Sequence, residues 1–487
     1  MASQLDPAGT RLPIKLDSTT NGEYAPIPLS REHHHANHLA HEAATTHAKR
    51  LGLTRRGFLV SACGAASTLM SMNQAYAANG ARGGYFELDK SAALDMHAAR
   101  SAIDGNEFIF DVQGHFVNPT GAWTKRLAPG ARPLRMAKTQ SCGPTKGDGD
   151  LDYLQCIGQD DFIKDVFLDS DTDLMVLSFV PSTRQNEPLT IEEAAATARI
   201  VERLDGTHRL YIHGRVNPNS PGDLEAMDEL ATRHKIAAFK TYTQWGPDGK
   251  GFFLDDDVGI AFIEKAQKLG VRNIAIHKGL PFGMKSYEHS TCVDVGRVAK
   301  RFPRMNFLIY HSGFVADKPE GAYDEKRTDG IDALVTSLIK NGVAPGSNVY
   351  AELGSTWRFL MRDPDSAAHA LGKLFKCCGE SNVLWGTDSI WYGSPQDQIQ
   401  AFRTFQISSA LRDKHGYPQL TPALRAKVFG HNALKIYPVA DEVLKQHLKS
   451  DKIALERGDY REQPNPSFAT LGPKTRREFL NFKAREA

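Results

Sequence analysis

Phe108-Ile109-Phe110-Asp111-Val112-Gln113-Gly114-His115 is an apolar, β-rich run that turns polar at its end. Side chains on a strand alternate between faces, so Gln113 and His115 point the same way. Three later stretches repeat the form. Ile274-Ala275-Ile276 ends in His277, Leu308-Ile309-Tyr310 ends in His311, and Leu384-Trp385-Gly386-Thr387 ends in Asp388. Working outward from these, eight strands are predicted, at 108–113, 174–180, 210–216, 237–242, 273–277, 307–311, 349–353 and 383–386. Most neighbours start roughly 27 to 42 residues apart, the length of one strand-helix unit.

Helical patterns fill the gaps. Thr190 opens one helix, with Ile191-Glu192-Glu193 in its first turn and an Ala-rich run to Leu204. Pro221-Gly222-Asp223 opens a second that reaches about His234. Asp255-Asp256-Asp257 caps a third, which closes at Leu269-Gly270. The strands are apolar along most of their length, as in a parallel sheet buried on both faces. Eight strands alternating with helices predict an α/β fold, a closed (β/α)8 TIM barrel over 108–437. No Gly-rich phosphate loop is present, which weighs against an open nucleotide-binding sheet.

Three segments lie outside that rhythm. About 117–170 is rich in Gly, Pro, Lys and Asp and reads as an insertion after the first strand, on the active-site side. Residues 438–487 are polar and charged and read as a helical C-terminal extension, wrapping the barrel or a neighbouring subunit. Residues 1–77 read as an export leader, with an N-terminal segment 78–107 between it and the barrel. Thr54-Arg55-Arg56-Gly57-Phe58-Leu59 precedes a mildly apolar stretch from Val60 to Met72, then the small-x-small site Ala75-Tyr76-Ala77. That order is the plan of a secretory signal, and the paired arginines resemble a twin-arginine signal. The alternative is a surface helix. Thr475-Arg476-Arg477-Glu478-Phe479-Leu480 repeats the local pattern with no apolar run behind it, and reads as a charged helix. The leader holds six of the 18 histidines, His33, His34, His35, His38, His41 and His47, a tract that either binds metal weakly or is simply disordered. Val60-Ser61-Ala62-Cys63 lies too close to the arginines to serve as a lipidation site.

The rest of the composition mostly excludes. A net charge of +2 over 487 residues gives no reason to expect nucleic acid or an anionic membrane as partner. No apolar run reaches the ~20 residues of a bilayer span. Setting Cys63 aside with the leader, the cysteines are Cys142, Cys156, Cys292, Cys377 and Cys378, an odd set without the regular spacing of a disulfide framework.

Active sites of such barrels form at the C-terminal ends of the strands. His115, His277, His311 and Asp388 all stand there, so three imidazoles and a carboxylate converge on one mouth. Two imidazoles and a carboxylate leave open positions on a divalent ion, as hydrolytic chemistry requires.

These motifs resemble the amidohydrolase-related family of barrel hydrolases and decarboxylases that includes aminocarboxymuconate semialdehyde decarboxylase. The resemblance covers roughly 108–437 and rests also on His311-Ser312-Gly313 and on Phe429-Gly430-His431-Asn432-Ala433-Leu434-Lys435-Ile436-Tyr437. By it, His115, His277 and Asp388 are metal ligands, and His311 is the catalytic histidine of the sixth strand. Family members usually carry His-x-His on the first strand. Gln113 stands at the first of those positions and offers an amide oxygen, a weaker ligand for zinc.

The implied cofactor is a divalent metal, zinc, or manganese or magnesium if a harder ion suits the glutamine. Asp388 is expected as general base and His311 as the group that stabilises charge developing on the substrate's carbonyl oxygen or protonates the leaving group. Lys240, Arg215, Trp245, Arg358 and Trp391 lie at or after strand ends as candidates to bind an anionic or aromatic substrate. Lys240 could instead be carboxylated to bridge two metals. Glu352 is placed to orient a histidine. His213 faces inward with no assigned role. The expectation is a periplasmic, metal-dependent hydrolase exported by the twin-arginine machinery, cleaving a lactone, amide or related bond of a small organic acid. The alternatives are non-oxidative decarboxylation of an aromatic or enoic acid, and a metal-free binding protein. A homodimer is expected from the resemblance alone.

Overall fold

The computed structural model describes residues 11–16, 26–127, 152–281, 287–449, 451–462, 464, 477 and 480. Part of the predicted insertion, Cys142, and most of the second Arg-Arg stretch lie outside the described residues. Ten strands are described. β1 (Gly84–Phe86) and β10 (Phe405–Ile407) pair antiparallel beside the main sheet. The other eight are β2 (Phe110–Gly114), β3 (Leu174–Leu177), β4 (Leu210–Arg215), β5 (Ala238–Tyr242), β6 (Asn273–His277), β7 (Asn306–Tyr310), β8 (Val349–Glu352) and β9 (Val383–Leu384). They run parallel in sequence order, each beside the next, and match the eight predicted strands.

The barrel closes by irregular bonds rather than by a ladder. Val112 N–H donates to Trp385 O at 3.0 Å, Asp388 N–H to Gln113 O at 2.9 Å, and Ile390 N–H to His115 O at 3.1 Å. β9 is short because the chain bends at Gly386 and Asp388, the latter at φ +60°. Gly386 is required at this seam: a β-carbon there would come within 1.6 Å of Glu352 Oε1. Inside the barrel, Phe110, Val112, Val176, Leu308 and Leu384 pack with Tyr437 from beyond the last strand. Burial of each such side chain contributes about 1.5–3 kcal/mol.

The helices begin where the sequence places them. Thr190 caps Ile191–Asp205 in a reciprocal capping box with Glu193, which satisfies two otherwise free N–H groups. Asp257–Lys268 starts after Asp256 and is closed by Gly270 at φ +77°. In the C-terminal extension, the helix Lys452–Glu462 wraps the barrel's own chain. Arg457 donates to Thr172 O at 2.8 Å and to Phe167 O at 3.1 Å, beside the start of β3. Among the described residues no helix is long and apolar enough to cross a membrane.

One expectation needs revision. Cys156 is disulfide-bonded, so an odd count and irregular spacing did not exclude a bridge, while Cys63, Cys292, Cys377 and Cys378 are free. The N-terminal stretch packs against the barrel. α1 (Arg31–Arg50), α2 (Arg55–Leu59) and α3 (Ala62–Ala78) form a helical layer, and Leu69, Met72, Ala75 and Tyr76 of α3 belong to the same apolar core that surrounds the barrel.

Candidate active site

The seam between β9 and β2 carries the first cluster. His115 Nε2 lies 3.1 Å from Asp388 Oδ1. Gln113 Nε2 lies 3.0 Å from the same oxygen and 3.4 Å from His115 Nε2. Three polar atoms therefore form a triangle with edges close to the ~3.4 Å that separates two ligands on a tetrahedral ion with bonds of ~2.1 Å. The amide of Gln113 is better reversed. Its Oε1 is buried with no hydrogen-bond partner. It shares its surroundings with Glu352 Oε1, since a β-carbon on Gly354 would lie 2.1 Å from one and 2.6 Å from the other. Amide oxygen and nitrogen are interchangeable in shape, and the network decides between them. Reversal turns N–H toward the Glu352 carboxyl and brings an oxygen against Asp388, a contact that needs a cation between the two. The residues fit a divalent ion held by His115, Gln113 and Asp388.

His277, the remaining expected ligand, is in contact with His311. Its Nδ1 lies 3.2 Å from His311 Nε2 and its Nε2 lies 3.3 Å from Leu280 O. Among the described residues no group of three or more His, Cys, Asp and Glu side chains could hold an ion, because the third corner here is a glutamine.

The two histidines form a dyad that is one proton short. His311 Nδ1 donates to Gly354 O at 2.7 Å. If His277 Nε2 also donated to Leu280 O, two bare nitrogens would face each other. A neutral imidazole carries one N–H. The longer bond is the one to yield, so His277 donates from Nδ1 to His311 and keeps a lone pair on Nε2. Burial lowers both pKa values, that of His311 to about 4, with Asp388 opposing and Lys240 assisting. Asp388 stays ionised. Burial opposes its charge, but the hydrogen bond and charge of His115, with His311 and Ser355, bring its pKa down to about 2.

Lys240 on β5 points into this space and is fully buried. Its Nζ sits 3.7 Å from the Tyr310 ring centroid and 4.8 Å from that of Tyr242, within cation–π range. Trp391 stacks on His115 with centroids 5.6 Å apart. The other substrate candidates are engaged elsewhere. Arg215 pairs with Glu187 at 2.9 Å and Asp223 at 2.8 Å, so its charge is already answered. Arg358 pairs with Asp397 at 2.9 Å. Trp245 is half-buried on the loop after β5, where its carbonyl accepts from Asn219. Glu352 does orient His311, but through the backbone. Its Oε2 accepts from His311 N–H at 3.1 Å and its Oε1 from Gly354 N–H at 2.6 Å. His213 is paired with Ser178 at 3.1 Å.

Sequence reasoning missed Ser355 and Tyr392. Ser355 Oγ donates to Asp388 Oδ2 and lies 2.9 Å from Tyr392 OH. Both sit on loops just past strand ends, and that position was the available signal. Asp111 was also passed over. Burial raises its pKa to about 7, although Thr387 and the Gln113 amide both bond to it.

A family model described as amidohydrolase matches residues 164–439. No curated protein sequence matches the chain. Among solved structures, it is similar to 5-carboxyvanillate decarboxylase from Sphingomonas paucimobilis, with 15% identity over 69% of this chain and 100% of that one and a TM-score of 0.40. It is also similar to the 5-carboxyvanillate decarboxylase of Novosphingobium aromaticivorans with bound manganese, with 12% identity, coverage of 69% and 98%, and a TM-score of 0.44. A third is 4-oxalomesaconate hydratase from Rhodopseudomonas palustris, with 17% identity, coverage of 70% and 99%, and a TM-score of 0.37.

Proposed function

The chain belongs to the amidohydrolase family, and from that premise we propose that it decarboxylates a small aromatic or enoic acid without oxidation. The observation that carries this reading is the burial of the charged and imidazole side chains. Lys240, His277, His311 and Asp388 are each at most 4% exposed. A carboxylate drawn in beside Lys240 loses its hydration, and a charged carboxylate is destabilised by that loss more than departing CO2 is.

Lys240 binds the anionic group, and Trp391 and Tyr242 offer flat walls to an unsaturated skeleton. The arriving negative charge neutralises the influence of Lys240 on the dyad, so His277 and His311 take up the missing proton. As the C–C bond breaks, its electron pair stays on the substrate carbon, CO2 leaves, and that carbon receives the dyad's proton. The sum is a carboxylate plus a proton giving R–H and CO2. An ion on His115, Gln113 and Asp388 would polarise a substrate oxygen. Two oxygens and one nitrogen form a hard donor set, which favours manganese or magnesium over zinc.

A second reading, hydrolysis of a lactone or amide, is supported by the ionised Asp388, a competent base toward water. A panel of aromatic and enoic acids and of lactones, followed for CO2 and for ring opening, separates the two. CO2 release with one solvent deuteron incorporated per turnover is expected. Lactone opening without CO2 from any acid would move the assignment to hydrolysis.

A further inference from the structure

Residues 11–16 run as an extended strap over the loop that follows Asp388, and Ile14, Lys15 and Leu16 are buried. Lys15 Nζ donates to Tyr392 O at 2.8 Å and to Ser394 O at 3.1 Å, and sits 3.6 Å from Asp397 Oδ1. Its backbone N–H donates to Asp397 Oδ2 at 3.1 Å. Asp397 in turn holds Arg358. The far side of the same loop faces the reacting groups. Trp391 lies on His115, and Tyr392 OH meets Ser355, which donates to Asp388. The loop is thus gripped from outside by the strap and from inside by the site.

The helices that follow the strap are themselves fastened. His33 of α1 bonds to Arg362 O at 2.9 Å, and Asn73 of α3 exchanges two bonds with the backbone of Phe86, at 2.6 and 2.8 Å. Arg55, one of the paired arginines, donates to His41 O at 2.8 Å and to Thr45. A cut after Ala77 would remove Lys15 together with Leu69, Met72 and Tyr76, and uncover the apolar surface that they occupy.

We propose that the N-terminal layer formed by residues 11–16 and 26–78 stays in the working enzyme as a fixed cap, and that Lys15 is a positioning residue that holds the loop 391–397 so that Tyr392 and Ser355 keep Asp388 aimed at the His115 corner. The role of Lys15 rests on the reading of Asp388 as part of the active site. The lysine is chemically suited to the task. It carries three donors on a flexible stem, and two of them reach the main-chain carbonyls of Tyr392 and Ser394. Buried, it is paid for by its pair with Asp397, so removing that carboxylate leaves the lysine uncompensated, whereas Asp397 without Lys15 still holds Arg358.

The test uses the full chain, expressed in its native compartment. Intact mass should show residues 11–78 retained; a mature protein starting near Ala78 would overturn the cap. Hydrogen exchange should then be compared between wild type and Lys15→Met. Peptides over 388–397 should exchange about tenfold faster in the variant, with β6 and β7 unchanged, and Lys15→Arg should restore most of the protection. Unchanged protection over 388–397 in Lys15→Met would sink the positioning role. If Lys15→Met does not fold, Asp397→Asn carries the same reading, because it loosens the grip at similar size. Manganese binding, measured in parallel by calorimetry, keeps the two readings apart. A wild type that binds no manganese yet shows the exchange difference supports the cap and counts only against the metal site.

Discussion

At the scale of the residue, Asp388 answers to four groups at once, and its removal has a definite expected result. Asp388→Asn should lower kcat by about 100-fold or more, because an amide replaces the one charged group that would hold the ion against the substrate oxygen, while the thermal midpoint falls by only a few degrees. Wild-type turnover in that variant would take Asp388 out of the mechanism. Gln113 is the sharper test of the ion. Gln113→Ala should weaken manganese affinity about tenfold or more, by removing one of three donors, whereas Gln113→His should bind zinc more tightly than the wild type. Asp111 makes a separate prediction about pH. Its folded pKa is raised to about 7 from 3.8, so between those values the unfolded chain gives up a proton that the folded one keeps. The stability contributed by Asp111 therefore falls as pH rises through that window, by up to ~4 kcal/mol in total. Asp111→Asn should flatten the pH dependence of thermal unfolding between pH 4 and 7. His115, His311 and Asp388 were legible because strand ends expose them in a repeating pattern. Ser355 and Tyr392 were not, because loop residues follow no period. The turn of His277 toward His311 depends on a side-chain rotation that spacing does not encode.

At the scale of the element, all eight barrel strands and three helix starts could be read from apolar runs and caps. β1 and β10 could not. Each is only three residues long, and they pair across more than 300 positions, Gly84 with Ile407 and Phe86 with Phe405. The seam strand is where sequence and packing are most tightly linked. Gly386→Ala should destabilise the protein by more than the 1–3 kcal/mol typical of overpacking, since the new methyl meets a buried carboxylate, and it should also abolish metal binding. Chemical denaturation and calorimetry check both parts. A soluble, fully stable variant would mean that the seam opens more easily than its close approach implies.

At the scale of the whole molecule, the C-terminal extension is bound to the barrel by buried guanidinium groups. Arg457→Met strips donors from the carbonyls of Phe167 and Thr172, each buried and without a second described donor in this contact. The cost should be about 1–3 kcal/mol per stranded acceptor, read as a lower urea midpoint with an unchanged slope. An unaltered midpoint would make the extension an ornament. The N-terminal layer carries a sequence that fits two readings, for a physical reason. A small-residue apolar helix behind paired arginines suits both a signal and a close-packed helix pair, and only tertiary contact tells them apart.

The corner at Asp388 and Gln113 joins residues 275 positions apart. Contacts of such long range form late, after the local ones have repaid their own entropy. A ribosome must therefore deliver nearly the whole barrel before any ion can be captured, and a truncated translation product carries no partial chemistry into the cell.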